Sequence, residues 1–396
     1  MNSKESTQTE PCKPHVVVLG GGFAGIATVR ELLRTTNACI TLVSNKTFFE
    51  YYPALYRVAG GSSPLDVCIS YYELFDDPRL VVVEETVTSI DLEGKRVWGN
   101  DGIDFTYDYL VVGLGSEISF FGIPGLAEHA FRFKSIHEAI YFKTTIENDL
   151  CAVGSRTEEN PFTIAIAGAG PSGVELAGEF IGFIKQRLNS RDYKKIKLML
   201  LERGPRVLGT FPEKASRRAL KQLQSLGVDV RTDCHVTALD EGVLSCESET
   251  IPVDRVVWTA GFKTNSLFTS TPGFVANERG RVHVGEYLQV PEHPNVFVVG
   301  DGADTQFSGL AQTALHQGEY IAGHIARLDR RATLKPYQPA PVTFVVPVGT
   351  WALLSHNNFV VSGWWVWVLR YLIDARFMFS ILSFKRAFRH VFSKWL

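Results

Sequence analysis

His15-Val16-Val17-Val18-Leu19 runs directly into Gly20-Gly21-Gly22-Phe23-Ala24-Gly25 and then into Ile26-Ala27-Thr28-Val29-Arg30-Glu31-Leu32-Leu33. A β-branched run, a glycine turn and a helix-prone stretch in that order predict strand, tight turn and helix. Each glycine has its own task. Gly20 permits the reversal, Gly22 lets backbone approach a pyrophosphate, and Gly25 lets the helix pack closely on the strand, while Phe23 and Ala24 open the helix whose positive end meets the phosphates. The next strand, Ala38 to Val43, ends at Ser44-Asn45, where such units commonly carry an acidic residue for the ribose. Ser44 can bond a ribose hydroxyl or serve as an ordinary turn residue.

The pattern recurs. Phe162 to Ala167 leads into Gly168-Ala169-Gly170-Pro171-Ser172-Gly173 and then Val174-Glu175-Leu176-Ala177-Gly178-Glu179. Gly168, Gly170 and Gly173 repeat the fingerprint, and two such turns in one chain imply two dinucleotide sites. The strand Lys197 to Leu201 ends at Glu202, which can take the ribose hydroxyls and repel a 2′-phosphate. That favours NADH over NADPH, with Arg203 and Arg206 arguing the other way.

A third element, Asn295-Val296-Phe297-Val298-Val299-Gly300-Asp301-Gly302-Ala303, delivers an aspartate at the end of a buried strand. Asp301 can be a helix cap. Here, however, the chain resembles the pyridine-nucleotide flavoprotein reductases, in which such an aspartate holds the ribityl chain of FAD. The resemblance implies an α/β fold with two Rossmann-like domains of the glutathione-reductase type. The expected division is a disordered 1–13, an FAD-binding domain in two parts (14–125 and 271–332), an inserted NADH-binding domain (126–270) and a C-terminal segment (333–396). Tyr107 to Ser116 and Val256 to Gly261 resemble the two crossing strands of that family, with Gly115 and Gly261 passing close to the cofactors.

Composition sets further bounds. With 396 residues, 45% of them hydrophobic, and a formal charge of −2, the chain is neither disordered nor a nucleic-acid binder. The cysteines Cys12, Cys39, Cys68, Cys151, Cys234 and Cys246 never fall closer than 12 positions apart, which predicts idle thiols and no adjacent redox pair. No metal-ligand cluster is visible, and the polar Met1 to Lys13 lacks a secretory apolar region. Disulfide reductases need a close cysteine pair, and sulfide:quinone oxidoreductases need cysteines from two regions beside the flavin, whereas none follows Cys246.

Several pieces in shared order resemble the type II NADH dehydrogenases, the single-subunit, non-pumping NADH:quinone oxidoreductases. They are Gly20 to Gly25, Phe48-Phe49-Glu50-Tyr51-Tyr52-Pro53, Phe121-Gly122-Ile123-Pro124-Gly125 with Phe133-Lys134-Ser135, and Gly173 to Glu179. The resemblance implies FAD and NADH as cofactors and a membrane quinone as acceptor. Ala311-Gln312-Thr313-Ala314-Leu315-His316 departs from the family's A-Q-x-A-x-Q, because His316 stands in place of the second glutamine. It makes Gln312 and His316 the candidates for the acceptor side, and Glu175 the candidate at the nicotinamide and flavin junction. A soluble reductase passing electrons to a protein such as ferredoxin, and an NADH-binding redox sensor without turnover, stay open.

Past the proline-rich Lys335 to Pro341, the apolar runs Phe344 to Leu354 and Phe359 to Trp367 predict a hairpin, and neither is long enough to span a bilayer. Arg376 to Leu396 then predicts one amphipathic helix, with Phe377, Ile381, Phe384, Phe388 and Phe392 against Arg376, Lys385, Arg386, Arg389 and Lys394. Trp364, Trp365, Trp367 and Trp395 add rings suited to a headgroup zone. The expectation is a peripheral protein on the cytoplasmic face of the cell membrane, with packing on the protein body or in a homodimer as the alternative use of that helix.

Overall fold

The computed structural model describes residues 13–392, with no side chain described at Phe392. Apart from Lys13, the expected disorder at the N-terminus lies outside the described residues, as do Lys394 and Trp395. The chain divides into two compact units, one of residues 1–49, 70–116 and 263–341 and the other of 50–69, 117–262 and 342–396. Relative to the division expected from sequence, residues 50–69 and the C-terminal segment both fall in the second unit.

The first unit is built on a six-stranded sheet in the order Gln289–Val290, His293–Val298, Tyr109–Val112, His15–Leu19, Cys39–Ser44, Leu80–Glu84. All but the first of these run parallel, Val16 lying opposite both Ile40 and Tyr109. A parallel sheet covered on both faces needs unbroken apolar strands, and Val16, Val17, Val18 and Leu19 are all fully buried. The Phe23–Thr35 helix makes the first crossover and packs along the Ala311–Asp329 helix. The close approach depends on Gly318, where a side chain would collide with the carbonyl of Ala24.

The second unit repeats the plan with a five-stranded parallel sheet in the order Phe131–Arg132, Arg255–Trp258, Phe162–Ala167, Ile196–Leu201, Asp229–Arg231. The Pro171–Arg187 helix leaves its central strand. A small antiparallel sheet, Val236–Asp240, Val243–Cys246 and Thr250–Pro252, sits in the same unit. It corrects the expectation of idle thiols. Cys234 and Cys246 form a disulfide with Cα atoms 5.6 Å apart. Linear spacing hid the pair, because the hairpin register that sets Val236 opposite Cys246 is what brings the two sulfurs together.

The C-terminal part also differs from the expected hairpin and single helix. It forms a three-stranded antiparallel sheet, Phe344–Val348, Trp351–His356 and Phe359–Gly363, followed by helices Trp364–Ile381 and Phe384–Phe392. A turn at Gly349 splits the first apolar run in two, and Gly363 ends the second so that Trp364 begins a helix. The Trp364–Ile381 helix is inside-out. Val366, Arg370, Asp374 and Met378, spaced four apart, are buried, whereas Trp364, Trp365, Val368, Leu372 and Ile373 are exposed, Trp364 by 71%. The predicted aromatic stripe is split accordingly, Phe377 stacking on Tyr51 at 5.0 Å and Ile381 buried, with Phe384 and Phe388 exposed. Among the described residues no helix is long and apolar enough to cross a membrane.

Candidate functional site

In the first unit, Gly20 takes φ +95°, and any side chain there would strike the backbone of Gly113. Gly22 is different: it is the N-cap of the Phe23–Thr35 helix, and the space its side chain would occupy is open. No side chain caps that helix, so its first N–H groups stay available to an anion. The contrast is with the Ile136–Cys151 helix, where Ser135 and Glu138 form a full capping box. Phe23 and Ala24 are buried beside this turn, Phe23 edge-on to Phe49 at 5.0 Å.

The same unit gathers Ser44, Gly115, Gly300, Asp301 and Ala311. Ser44 is buried, its hydroxyl 3.2 Å from Tyr71 OH, which donates to the carbonyl of Gly21 at 2.9 Å. Tyr71, fully buried and unremarkable in sequence, thus braces the glycine turn. The Ser116 hydroxyl donates to Asp301 Oδ2, next to Gly115, whose φ is +68° and whose side-chain position is open. The side-chain position of Gly300 lies 3.7 Å from the Cβ atoms of both Ala24 and Ala314, so the aspartate loop meets the glycine turn and the helix beginning at Ala311. Gln317 ties that helix to the loop. Fully buried, it accepts from Gly300 N at 2.6 Å and donates to Thr305 Oγ1 at 2.8 Å. The Ala311–Asp329 helix likewise has no side-chain cap. Gln312 is exposed on its first turn, and His316, half-buried, has Nδ1 3.3 Å from Tyr337 OH.

In the second unit Gly168 takes φ +109° against Ala260, Gly173 lies over the carbonyl of Gly168, and Gly170 caps an uncapped helix with open space at its own Cα. Both turns therefore leave the same gap, a hollow that a Cβ would fill at the end of a helix with unmet N–H donors. That is the shape a pyrophosphate needs. Glu202 reaches into the second turn, its Oε2 accepting from Ala169 N at 2.9 Å and its Oε1 from Gly204 N at 2.8 Å. Arg206 is committed elsewhere, donating to the carbonyls of Phe211 at 2.7 Å and Gly209 at 2.6 Å. Gly261, with φ +78°, borders no open space, since a side chain would meet the Phe121 ring and the Ser119 carbonyl. If Glu202 rejects a 2′-phosphate by about 1.4 kcal/mol or more, Glu202→Ala should cut the NADH to NADPH ratio of kcat/KM at least about tenfold. An unchanged ratio would move discrimination to the exposed Arg203.

Glu175 sits on the Pro171–Arg187 helix in the second unit. Burial pushes its carboxyl up to about 8, only partly countered by the positive charges of Arg370 and Arg57, with Asp374 adding to the rise. A carboxylic acid that can hold or release a proton near neutrality suits general acid or base work. Sequence reasoning missed its neighbours Tyr56, Arg57, Arg370 and Asp374. Among the described residues no group of His, Cys, Asp and Glu is arranged to hold a metal ion.

The chain is 28% identical to the type II NADH:quinone oxidoreductase of Staphylococcus aureus over 94% of its own length and 97% of the relative's. Its fold matches NDH2 from Plasmodium falciparum, solved with NADH, at TM-score 0.84 and 17% identity, covering 96% of each chain. It also matches the sulfide:quinone oxidoreductase of Aquifex aeolicus at TM-score 0.80 and 20% identity, covering 96% of this chain and 95% of that one. The two-Rossmann expectation is borne out by these folds. With residues 14–318 matching the pyridine nucleotide-disulphide oxidoreductase family, and both glycine turns inside that range, the chain belongs to this family of oxidoreductases.

Proposed function

We propose that the chain is an FAD-dependent NADH:quinone oxidoreductase that works at a membrane surface without pumping protons. The observation that supports it most is the pair of open, uncapped glycine turns, one in each unit, of which only the second is paired with a carboxylate at its strand end. The likeness to type II NADH:quinone oxidoreductases over nearly the whole of both chains adds the acceptor.

When bound, FAD supplies the chemistry of taking a hydride from NADH and giving up two electrons to a quinone. The chain's residues do the rest. Gly20, Gly22, Gly25, Ser44, Gly115 and Asp301 would hold FAD in the first unit. Gly168, Gly170, Gly173 and Glu202 would hold NADH in the second. The N-terminus of the Ala311–Asp329 helix, which no side chain caps, would offer its positive end to negative charge on the reduced cofactor. Glu175 and His316 are the groups that can move protons, and Gln312 is the exposed polar side chain on the acceptor helix.

The exposed apolar face of the Trp364–Ile381 helix, followed by Lys385, Arg386 and Arg389 on the next helix, suits a bilayer surface better than a soluble protein acceptor. A stopped-flow experiment tests the division of labour. Gln312→Ala and His316→Ala should slow reoxidation of the reduced flavin by quinone at least about tenfold, as loss of one polar contact implies. Reduction by NADH should stay near the wild-type rate. Impaired reduction with normal reoxidation would refute the acceptor role, and faster turnover with ferredoxin than with any quinone would replace the quinone reading.

A further inference from the structure

Two distant stretches of the second unit bring three charged or phenolic groups to a single buried carboxylate. Asp374 Oδ1 accepts from Tyr51 OH at 2.6 Å, Asp374 Oδ2 accepts from Arg57 Nη2 at 2.6 Å, and Arg370 Nη1 lies 3.2 Å from Oδ1. Arg370 Nη2 donates to the Pro53 carbonyl at 2.7 Å, and Arg57 Nε to Tyr56 OH at 3.1 Å. The Arg57 guanidinium also lies over the Tyr371 ring, 4.4 Å from its centre. The side chains of Arg57, Arg370 and Asp374 are 11%, 10% and 9% exposed. Such a cluster is costly to bury and is held only by near-complete pairing.

Glu175 is the next carboxyl to feel these charges. The Leu55–Ala59 helix, which carries Tyr56 and Arg57, packs on the Pro171–Arg187 helix, and Glu179 lies one turn beyond Glu175 against Gly60. While Glu179 on the same helix acts on Tyr371, Glu175 feels Tyr56 and Arg57 from the 50–69 stretch and Arg370 and Asp374 from the Trp364–Ile381 helix. Two guanidiniums stand near it with one carboxylate between them. Either cation released from Asp374 would turn to Glu175 for a partner.

We propose that Asp374 is a positioning residue for Glu175: it claims Arg57 and Arg370 as its own ion partners and so keeps Glu175 free to take up and release a proton instead of locking into a salt bridge. The proposal rests on the reading above that Glu175 serves the NADH to quinone reaction. It assigns the C-terminal helix a part in the chemistry through a residue that touches no substrate.

The test follows the carboxyl itself. In the full-length, FAD-loaded protein, infrared difference spectra against Glu175→Gln give the protonated-carboxyl band of Glu175 as pH rises, with its midpoint expected near 8 in the wild type. Asp374→Asn keeps the shape and removes the charge, and should lower the midpoint by about one to three units, the range for an uncompensated opposite charge nearby. Arg57→Gln should raise it, and supplies the sign test if the first variant folds poorly. The pH dependence of quinone turnover should shift with the band in each variant. A midpoint that stays put in both variants, or moves the same way in both, overturns the proposal. If the band moves as expected while Glu175→Gln keeps the wild-type pH profile and rate, Asp374 governs Glu175 and it is the role of Glu175 in turnover that fails.

Discussion

A Gly170→Val protein should purify yellow with flavin, melt with the wild type and yet require about a hundredfold more NADH. The reason lies in what surrounds Gly170. Nothing occupies the position of its missing side chain, and its φ of −69° is one that valine adopts freely, so the protein itself loses little. The space filled is where, on the reading above, a pyrophosphate would lie against the N–H groups of the Pro171–Arg187 helix. Losing two hydrogen bonds to a charged group, each about 1.5–3 kcal/mol, weakens binding at least about a hundredfold. The matching change in the first unit, Gly22→Val, should give the complementary result, a folded protein that keeps its NADH site and fails to retain flavin. Flavin content of the purified proteins and calorimetric titration with NADH separate the two. Equal loss of both ligands in either variant would show that the turns do not serve one nucleotide each.

Ending the chain after Leu382 should leave flavin content and NADH oxidation with a soluble acceptor intact while abolishing most binding to anionic vesicles. The cut removes Phe384 and Phe388, 75% and 44% exposed, and the cations Lys385, Arg386 and Arg389. At about 1 kcal/mol per basic residue near an anionic surface, three cations alone are worth over about a hundredfold in partitioning, before any apolar contribution. A cut at Arg376, the boundary that sequence periodicity recommends, would be a poorer experiment. It would also take away Phe377, which stacks on Tyr51, and the buried Met378 and Ile381. Vesicle flotation at low and high salt reads the outcome. If the shortened protein floats like the full chain, or sheds its flavin, the Phe384–Phe392 helix is a structural element and the bilayer reading of it is lost.

The parts of the fold written in local pattern were legible in the sequence. Both strand, glycine and helix units stand where Gly20 and Gly168 announce them, and Glu202 bonds to the second turn despite its late position after a long connection. What sequence could not give depends on long-range register. Cys234 and Cys246 meet only because a hairpin folds back, and Gln317, not its neighbour His316, is the residue that locks the aspartate loop to the Ala311–Asp329 helix. The inward placement of Arg370 and Asp374 was not legible either, for a physical reason. Charges on an apolar helix are taken to face water, and here they face inward because Tyr51, Pro53 and Arg57 complete their hydrogen bonds.

If the protein works at a bilayer as proposed, the inside-out helix has a geometric consequence for how it would lie there. An ordinary amphipathic helix is oriented by its own two faces and can roll by tens of degrees at small cost. The Trp364–Ile381 helix cannot, because rolling would drag Arg370 and Asp374 away from partners in the 50–69 stretch and strand them unpaired. Its azimuth is keyed from within. Trp364, Val368 and Leu372 therefore present a fixed exposed line, and on the bilayer reading proposed above the attitude of the second unit would be set by an ion cluster that no lipid touches.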